Sequence, residues 1–223
     1  MLTQDLISEN IPPIKLSDTG TKALKWMDEF KVAHLPVVDN GQYFGLVADA
    51  DIFDLNSPEK TIGEQLEDLE LDDIHVTEGQ HIYDAIKIMN ENRLSIVPVL
   101  NKDKHYLGVI SMSNLMEKIG SVSSITEPGS VLILEVNYQD YSLSQIAQIV
   151  EGNNARILSV FLNNNPENGT IDVTLKINKT DVSGILQTFQ RYNYFIKSAF
   201  QVDSDYFDDL KTRYDALMNY LKM

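Results

Sequence analysis

A chain that contains one supersecondary unit twice has its architecture constrained more tightly than local propensities can constrain it. This chain contains such a repeat. Displaced by 62 positions, its first part lays Ile14 on Val76, Ala23 on Ala85, Leu24 on Ile86, Met27 on Met89, Lys31 on Arg93, Pro36 on Pro98 and Val37 on Val99. One extra residue in the second turn moves the displacement to 63, so that Gly45, Leu46, Val47 and Ile52 fall on Gly108, Val109, Ile110 and Leu115. Apolar positions meet apolar positions throughout.

Each copy reads as short strand, amphipathic helix, strand, turn, strand, helix, because apolar residues step by three and four before the proline and run continuously after it. In copy one this predicts a helix over 21–30 and strands over 35–38 and 43–47, with an Asn-Gly hairpin turn at 39–41. Copy two predicts a helix over 81–91, strands over 96–100 and 106–110, and a closing helix that begins near Ser113. Strands this uniformly apolar are expected to be buried on both faces.

The segments HLPVVDNGQYFGLVADADIFD (34–54) and SIVPVLNKDKHYLGVISMSNLME (95–117) give the chain a resemblance to the CBS pair, or Bateman module. On that resemblance repeat one occupies 1–60 and repeat two 61–122. In CBS proteins the strand ending Gly-apolar-apolar-Ser/Thr-x-x-Asp/Asn offers a hydroxyl and a carboxylate or amide to the ribose diol of an adenosine ligand. Residues three apart across a strand end and first helical turn share a direction, so both reach one diol. Copy two has the full pair, Ser111 and Asn114; copy one has Ala48 and Asp51, without the hydroxyl. The same residues read equally as helix caps, and capping does not exclude binding. The resemblance also implies composite clefts: Asp18, Ala23, Val32 and Ala33 opposite Ser111 and Asn114, and Gln80, Ala85, Leu94 and Ser95 opposite Ala48 and Asp51. Small residues such as Ala23, Ala33 and Ala85 let a flat purine approach the backbone, although alanine is also simply a good helix former. The cation that nucleotide-binding pairs place beside the ribose is replaced by Ser95 and Ile96, which leaves a nucleoside or weakly charged adenosyl group open beside AMP, ADP, ATP and S-adenosylmethionine. Lys15, Lys31, Arg93, Lys102 and Lys104 read as ordinary solvated charges.

From Ser130 the rhythm becomes strand (131–138), helix (143–152), strand (157–163), strand (170–177), helix (182–192), strand (196–202). Glu127-Pro128-Gly129 marks the boundary after a linker at 123–129, and NNPENG (164–169) supplies a hairpin turn. The βαββαβ order predicts a ferredoxin-like sandwich, and VNYQDYSLSQIAQIVEGNNARILSVFL (136–162) resembles the first half of an ACT domain, covering 130–203. Amino-acid-binding ACT domains usually carry a glycine where the first helix starts; here Asp140-Tyr141-Ser142-Leu143 stands there. Ser142 then reads as an N-cap, and the domain as one for dimerisation or docking. Phe207, Leu210, Tyr214, Leu217 and Leu221 put one apolar stripe on a helix over 204–223, to be buried on its own protomer or on a second copy. The CBS-then-ACT order resembles small regulatory proteins of the acetoin-utilisation type.

A net charge of −15 without a basic cluster makes nucleic acid and anionic lipid poor partners. The absence of cysteine removes thiolate chemistry, disulfides and most structural zinc sites and suits a reducing cytoplasm. His34, His75, His81 and His105 are scattered and read as structural, and no phosphate loop, nucleophile elbow or dinucleotide fingerprint occurs. In the acidic stretch 64–73 the carboxylates alternate with Leu66, Leu69 and Leu71, a solvated face rather than a cation site. The reading that results is an α/β regulatory protein, not an enzyme. It needs no cofactor, senses an adenosine-type ligand between its CBS repeats, dimerises, and signals through the ACT-like domain to a protein partner. The alternative is a ligand-independent scaffold.

Overall fold

A computed structural model describes residues 1–200 except Glu9, Asn56, Glu70 and Ser123. The described residues form two compact units that divide between Lys118 and Ile119.

In the first unit Ile14 pairs in parallel with Val37, and α1 (Gly20–Phe30), β1 (His34–Asp39), β2 (Gln42–Ala48) and α2 (Asp49–Phe53) complete copy one. Copy two repeats this with β3 (Val76–Thr77), α3 (Ile82–Glu91), β4 (Ile96–Leu100), β5 (Tyr106–Ser111) and α4 (Met112–Val122). The repeat holds at the level of single backbone angles. Lys31 and Arg93 end α1 and α3 in the left-handed region at φ 55° and 54°, and the following residues, Val32 and Leu94, donate back to Met27 and Met89 carbonyls at 3.0 and 2.9 Å. The Asn40-Gly41 turn has φ of 50° and 81°, the two positive values that a type I′ hairpin requires.

Both copies share one core. Leu35, Val37 and Val47 of copy one and Ile96, Val99 and Ile110 of copy two are fully buried within a single apolar cluster. The alternation expected of a half-solvated strand is absent from β4, where all five residues are buried.

The leading segments exchange places. The leading segment of repeat one lies on copy two: Ser8 donates to Val109 O at 2.8 Å and Thr3 to Gln80 O at 3.0 Å. The leading segment of repeat two lies on copy one: Leu46 donates to Asp72 O at 2.9 Å and Ile62 to Asp18 O at 2.7 Å. Gly45 and Gly108 make this possible. At φ 148° and 150° they let the crossing chain come so near that a Cβ added at Gly45 would sit 2.7 Å from Leu71 Cβ and one added at Gly108 would collide with Ile7 Cγ2.

The second unit follows the expected order: β6 (Ser130–Asn137), α5 (Leu143–Gly152), β7 (Ile157–Asn165), β8 (Thr170–Ile177), α6 (Ser183–Arg191) and β9 (Phe195–Phe200). The sheet order β7-β8-β6-β9, antiparallel throughout, is that of a ferredoxin-like fold. Leu132 and Leu134 of β6, Val173 and Leu175 of β8, Ile146 of α5 and Phe189 of α6 close its core. Ser142 Oγ accepts from the Gln145 N–H at 3.4 Å, the N-cap that the residue type suggested. The expected helix over 204–223 and the last residues of the expected 196–202 strand lie outside the described residues. No helix among the described residues is long and apolar enough to cross a membrane.

Candidate functional site

The Gly-apolar-apolar strand of each copy ends beside the start of its partner strand, because antiparallel pairing puts His34 opposite Ala48 and Ile96 opposite Ser111. The helices that follow are then held by equivalent backbone bonds: Asp49 donates to Ala33 O at 2.9 Å and Met112 to Ser95 O at 3.1 Å. The two copies meet between these points. Ala33 N–H donates to Ser95 Oγ at 3.0 Å, and His34 Nδ1 lies 3.1 Å from the same hydroxyl and accepts from Ser95 N–H at 3.4 Å. A continuous polar seam therefore runs from Asp49 through Ala33 and Ser95 to Met112, with Ser111 and Asn114 at its copy-two end.

Ser111 is 4% exposed and Asn114 half-buried. The Ser111 hydroxyl accepts from the Asn114 N–H at 3.2 Å, which caps α4, and donates to Asn114 Oδ1. Capping and presentation are thus one arrangement: the hydroxyl fixes the amide by Oδ1, and no described residue accepts from the Asn114 side-chain nitrogen. Copy one differs. Ala48 has no hydroxyl, and Asp51 turns back so that its carboxylate accepts from the Ala48 N–H at 2.8 Å. One carboxylate oxygen of Asp51 is thereby engaged by its own backbone.

Other residues of the expected clefts are placed less favourably for ligand contact. Asp18 and Gln80, equivalent in the repeat, close equivalent turns: Asp18 Oδ2 accepts from Lys15 N–H at 2.9 Å and Gln80 Oε1 from Thr77 N–H at 2.7 Å. Asp18 also takes Lys22 Nζ at 2.6 Å; burial raises its pKa, but these hydrogen bonds and charges outweigh it and hold the carboxyl below its ordinary value. Ala23 and Ala85 are fully buried and Leu94 is 4% exposed, so their small or apolar side chains face the core rather than a cleft. Val32 and Ala33 are half-buried and line a hollow of about 450 Å³ with Leu24, Asp49 and Phe53. That hollow lies within copy one and takes in neither Ser111 nor Asn114. Among the described residues no group of three His, Asp or Glu is placed to hold a metal ion.

His34 is the seam residue that the sequence reading passed over. It stood in an apolar strand as one of four scattered histidines, and its partner lies 61 residues away. Burial lowers its pKa, against the opposing pull of Asp49, Asp51 and Asp72. Unfolding restores an ordinary value near 6.5. The unfolded chain then binds the proton first, so stability is retained above about 6.5 and falls as pH drops below it. Thermal unfolding between pH 7.5 and 5 checks this: His34→Gln flattens the acid slope, and an unchanged slope removes His34 as its origin. Ser95→Ala leaves the Ala33 N–H without its partner and costs about 1–2 kcal/mol, read by denaturant titration; Ser95→Thr restores most of it.

The family model described as CBS domain matches residues 4–57 and 66–121. A CBS domain-containing protein of Dictyostelium discoideum is 27% identical over 143 residues, 58% of this chain and 99% of that one. An uncharacterized protein of Methanocaldococcus jannaschii is 27% identical over 124 residues, 49% of this chain and 41% of its own length, so the chain spans about two fifths of that relative. Among solved structures, a CBS domain pair/ACT domain protein of Thermotoga maritima is 21% identical with a TM-score of 0.48, over 54% of this chain and 98% of that one.

Proposed function

Residues 4–57 and 66–121 are a tandem pair of CBS domains, and from that premise we propose that the protein is a regulatory sensor of an adenosine-type ligand. The ligand binds at the copy-two end of the seam, with Ser111 and Asn114 on its ribose diol and the Val32–Ala33 backbone of the other copy beside its base. One observation carries this reading: Asn114 is half-buried, is held in place by Ser111, and has a side-chain N–H₂ that no described residue uses. A pre-positioned donor of this kind binds without the entropy cost of ordering a free side chain.

Two further features sharpen the proposal. Copy one lacks the hydroxyl and engages Asp51 internally, so one ligand binds per chain. Asp49, Asp51 and Asp72 act on His34, whose lowered pKa leaves it neutral at pH 7, and the chain carries −15 overall. The seam therefore receives a neutral or cationic tail, as in S-adenosylmethionine or a nucleoside, more readily than a triphosphate. Signalling runs through the ferredoxin-like unit, read as ACT-like, to a protein partner in the cytoplasm, with the chain as a homodimer. Titration calorimetry of the full chain with S-adenosylmethionine, AMP, ADP and ATP tests this. One site per chain, with S-adenosylmethionine or AMP ahead of ATP, is the expected result; no heat at millimolar concentrations of any of them rejects it.

A ligand-independent scaffold is the second reading. It draws on the internal commitment of Asp18, Gln80 and Asp51, and it predicts an oligomeric state indifferent to all four ligands.

A further inference from the structure

Ser95 joins the two halves of the proposed site. Its carbonyl accepts from the N–H of Met112, the first residue of α4, at 3.1 Å. Its hydroxyl accepts from Ala33 N–H of the other copy at 3.0 Å, and its own O–H and N–H both donate to His34 Nδ1, at 3.1 and 3.4 Å. An imidazole nitrogen that receives donors must present its lone pair, so the neutral ring carries its proton on Nε2. A proton on Nδ1 turns that acceptor into a donor. The Ser95 hydroxyl can rotate to accept from it, but the Ser95 N–H is left facing another N–H.

The repeat shows that the contact is particular to this pair. At the displacement of 62, Ala33 falls on Ser95 and His34 on Ile96. Ala33 and Ser95 therefore meet as equivalents, as positions beside a two-fold axis do. The hydroxyl comes from one copy and the imidazole from the other, and neither has a counterpart at its equivalent position. The charged groups that face His34 are Asp49 and Asp51 of α2 and Asp72 of the segment crossing β2; from copy two it meets the uncharged Ser95. Burial disfavours the imidazolium and the three carboxylates oppose that penalty, so a proton is shed at neutral pH without being barred from acid solution.

We infer that His34 is a proton-sensitive joint of the adenosine site: a proton on Nδ1 and the ligand compete, so that acid releases the ligand. This coupling deepens the sensor reading and rests on it. A ligand that spans Val32–Ala33 of copy one and Ser111–Asn114 of copy two needs the copies held as Ser95 holds them, and that arrangement needs Nδ1 free. The effect is reciprocal. Affinity is full while His34 is neutral and falls as pH drops below 6.5 through its lowered value, and ligand binding in that range releases protons.

Adenosine is the probe, because it does not itself titrate between pH 5 and 7.5. Titration calorimetry of the full chain is run across that range in two buffers of different ionisation heat, with circular dichroism to show the fold intact at each pH. The expected result is binding at least about fivefold weaker at pH 5 than at pH 7.5, with net proton release on the acid side. His34→Asn, whose amide oxygen can accept where Nδ1 does but does not titrate, gives a flat profile at whatever level it binds. His105→Gln, an exposed position between β4 and β5, keeps the slope. Equal affinity at both ends of the range without proton release overturns the coupling and leaves the sensor reading standing. A slope that survives in His34→Asn belongs to another group and overturns the role of His34. No binding at any pH rejects the sensor reading and the coupling with it. Should His34→Asn fail to fold, the imidazole resonances of the native chain decide: the His34 midpoint moves to lower pH on saturation with adenosine, and a midpoint that stays in place overturns the inference.

Discussion

Asn114→Ala weakens binding of the adenosine ligand by about 5- to 150-fold, the range expected when a buried polar partner on the ligand loses its hydrogen bond at about 1–3 kcal/mol. The loss falls on affinity and spares folding, because the Asn114 N–H that caps α4 through Ser111 Oγ belongs to the backbone and survives the substitution. Ser111→Ala behaves differently. It removes the cap, at about 1 kcal/mol of stability, and frees the Asn114 amide from its anchor as well. Both affinity and unfolding midpoint fall together, and Ser111→Thr keeps most of each. Calorimetry beside thermal unfolding separates the two patterns. Should Asn114→Ala bind as the parent does, the seam is a structural joint and the scaffold reading takes over.

Gly108→Ala unfolds the first unit at a midpoint lower by about 10 °C, through a loss of about 3 kcal/mol. Two costs combine. The glycine sits at φ 150°, a backbone region that side-chain-bearing residues rarely adopt, and the new methyl collides with Ile7 Cγ2. Relieving the second by moving Ile7 pulls the leading segment off β5, where Ser8 donates to Val109 O. Gly79→Ala is the comparison: nothing lies within 4 Å of its added Cβ and its φ is unremarkable, so it changes stability by about 0.5 kcal/mol or less. A Gly108→Ala midpoint within about 2 °C of the parent means that the leading segment does not cross there.

These two positions mark how far the residues alone could be read. The Gly45/Gly108 correspondence was visible as a repeat, and so were strands, helices and turns to within one or two residues, because each follows from a period or a turn chemistry confined to a few neighbours. The reason for the glycines was hidden. It lies in the crossing of segments 7–8 and 71–72 over the opposite copies, which have no pattern of their own. The pairing of Ser111 with Asn114 was legible for the same local reason as the helices. Asp18 and Gln80 were correctly placed as equivalents but expected to face a ligand. Each has a free N–H three residues before it, and both close their own turns on it. His34 and Ser95 escaped notice as partners since nothing in either neighbourhood points across 61 residues.

By itself, then, the amino-acid order determined the doubled unit, the sandwich that follows it and the hydroxyl-amide pair at the end of β5, since periodicity and turn geometry act over distances of a few residues. Only the tertiary structure decided that the copies exchange their leading segments, that Ala23 and Ala85 are sealed in the core, and that Ala33, His34 and Ser95 form the seam on which the pair sits. Those outcomes depend on packing and on which donor reaches a buried acceptor first, and both are properties of residues far apart in the chain brought within hydrogen-bonding distance.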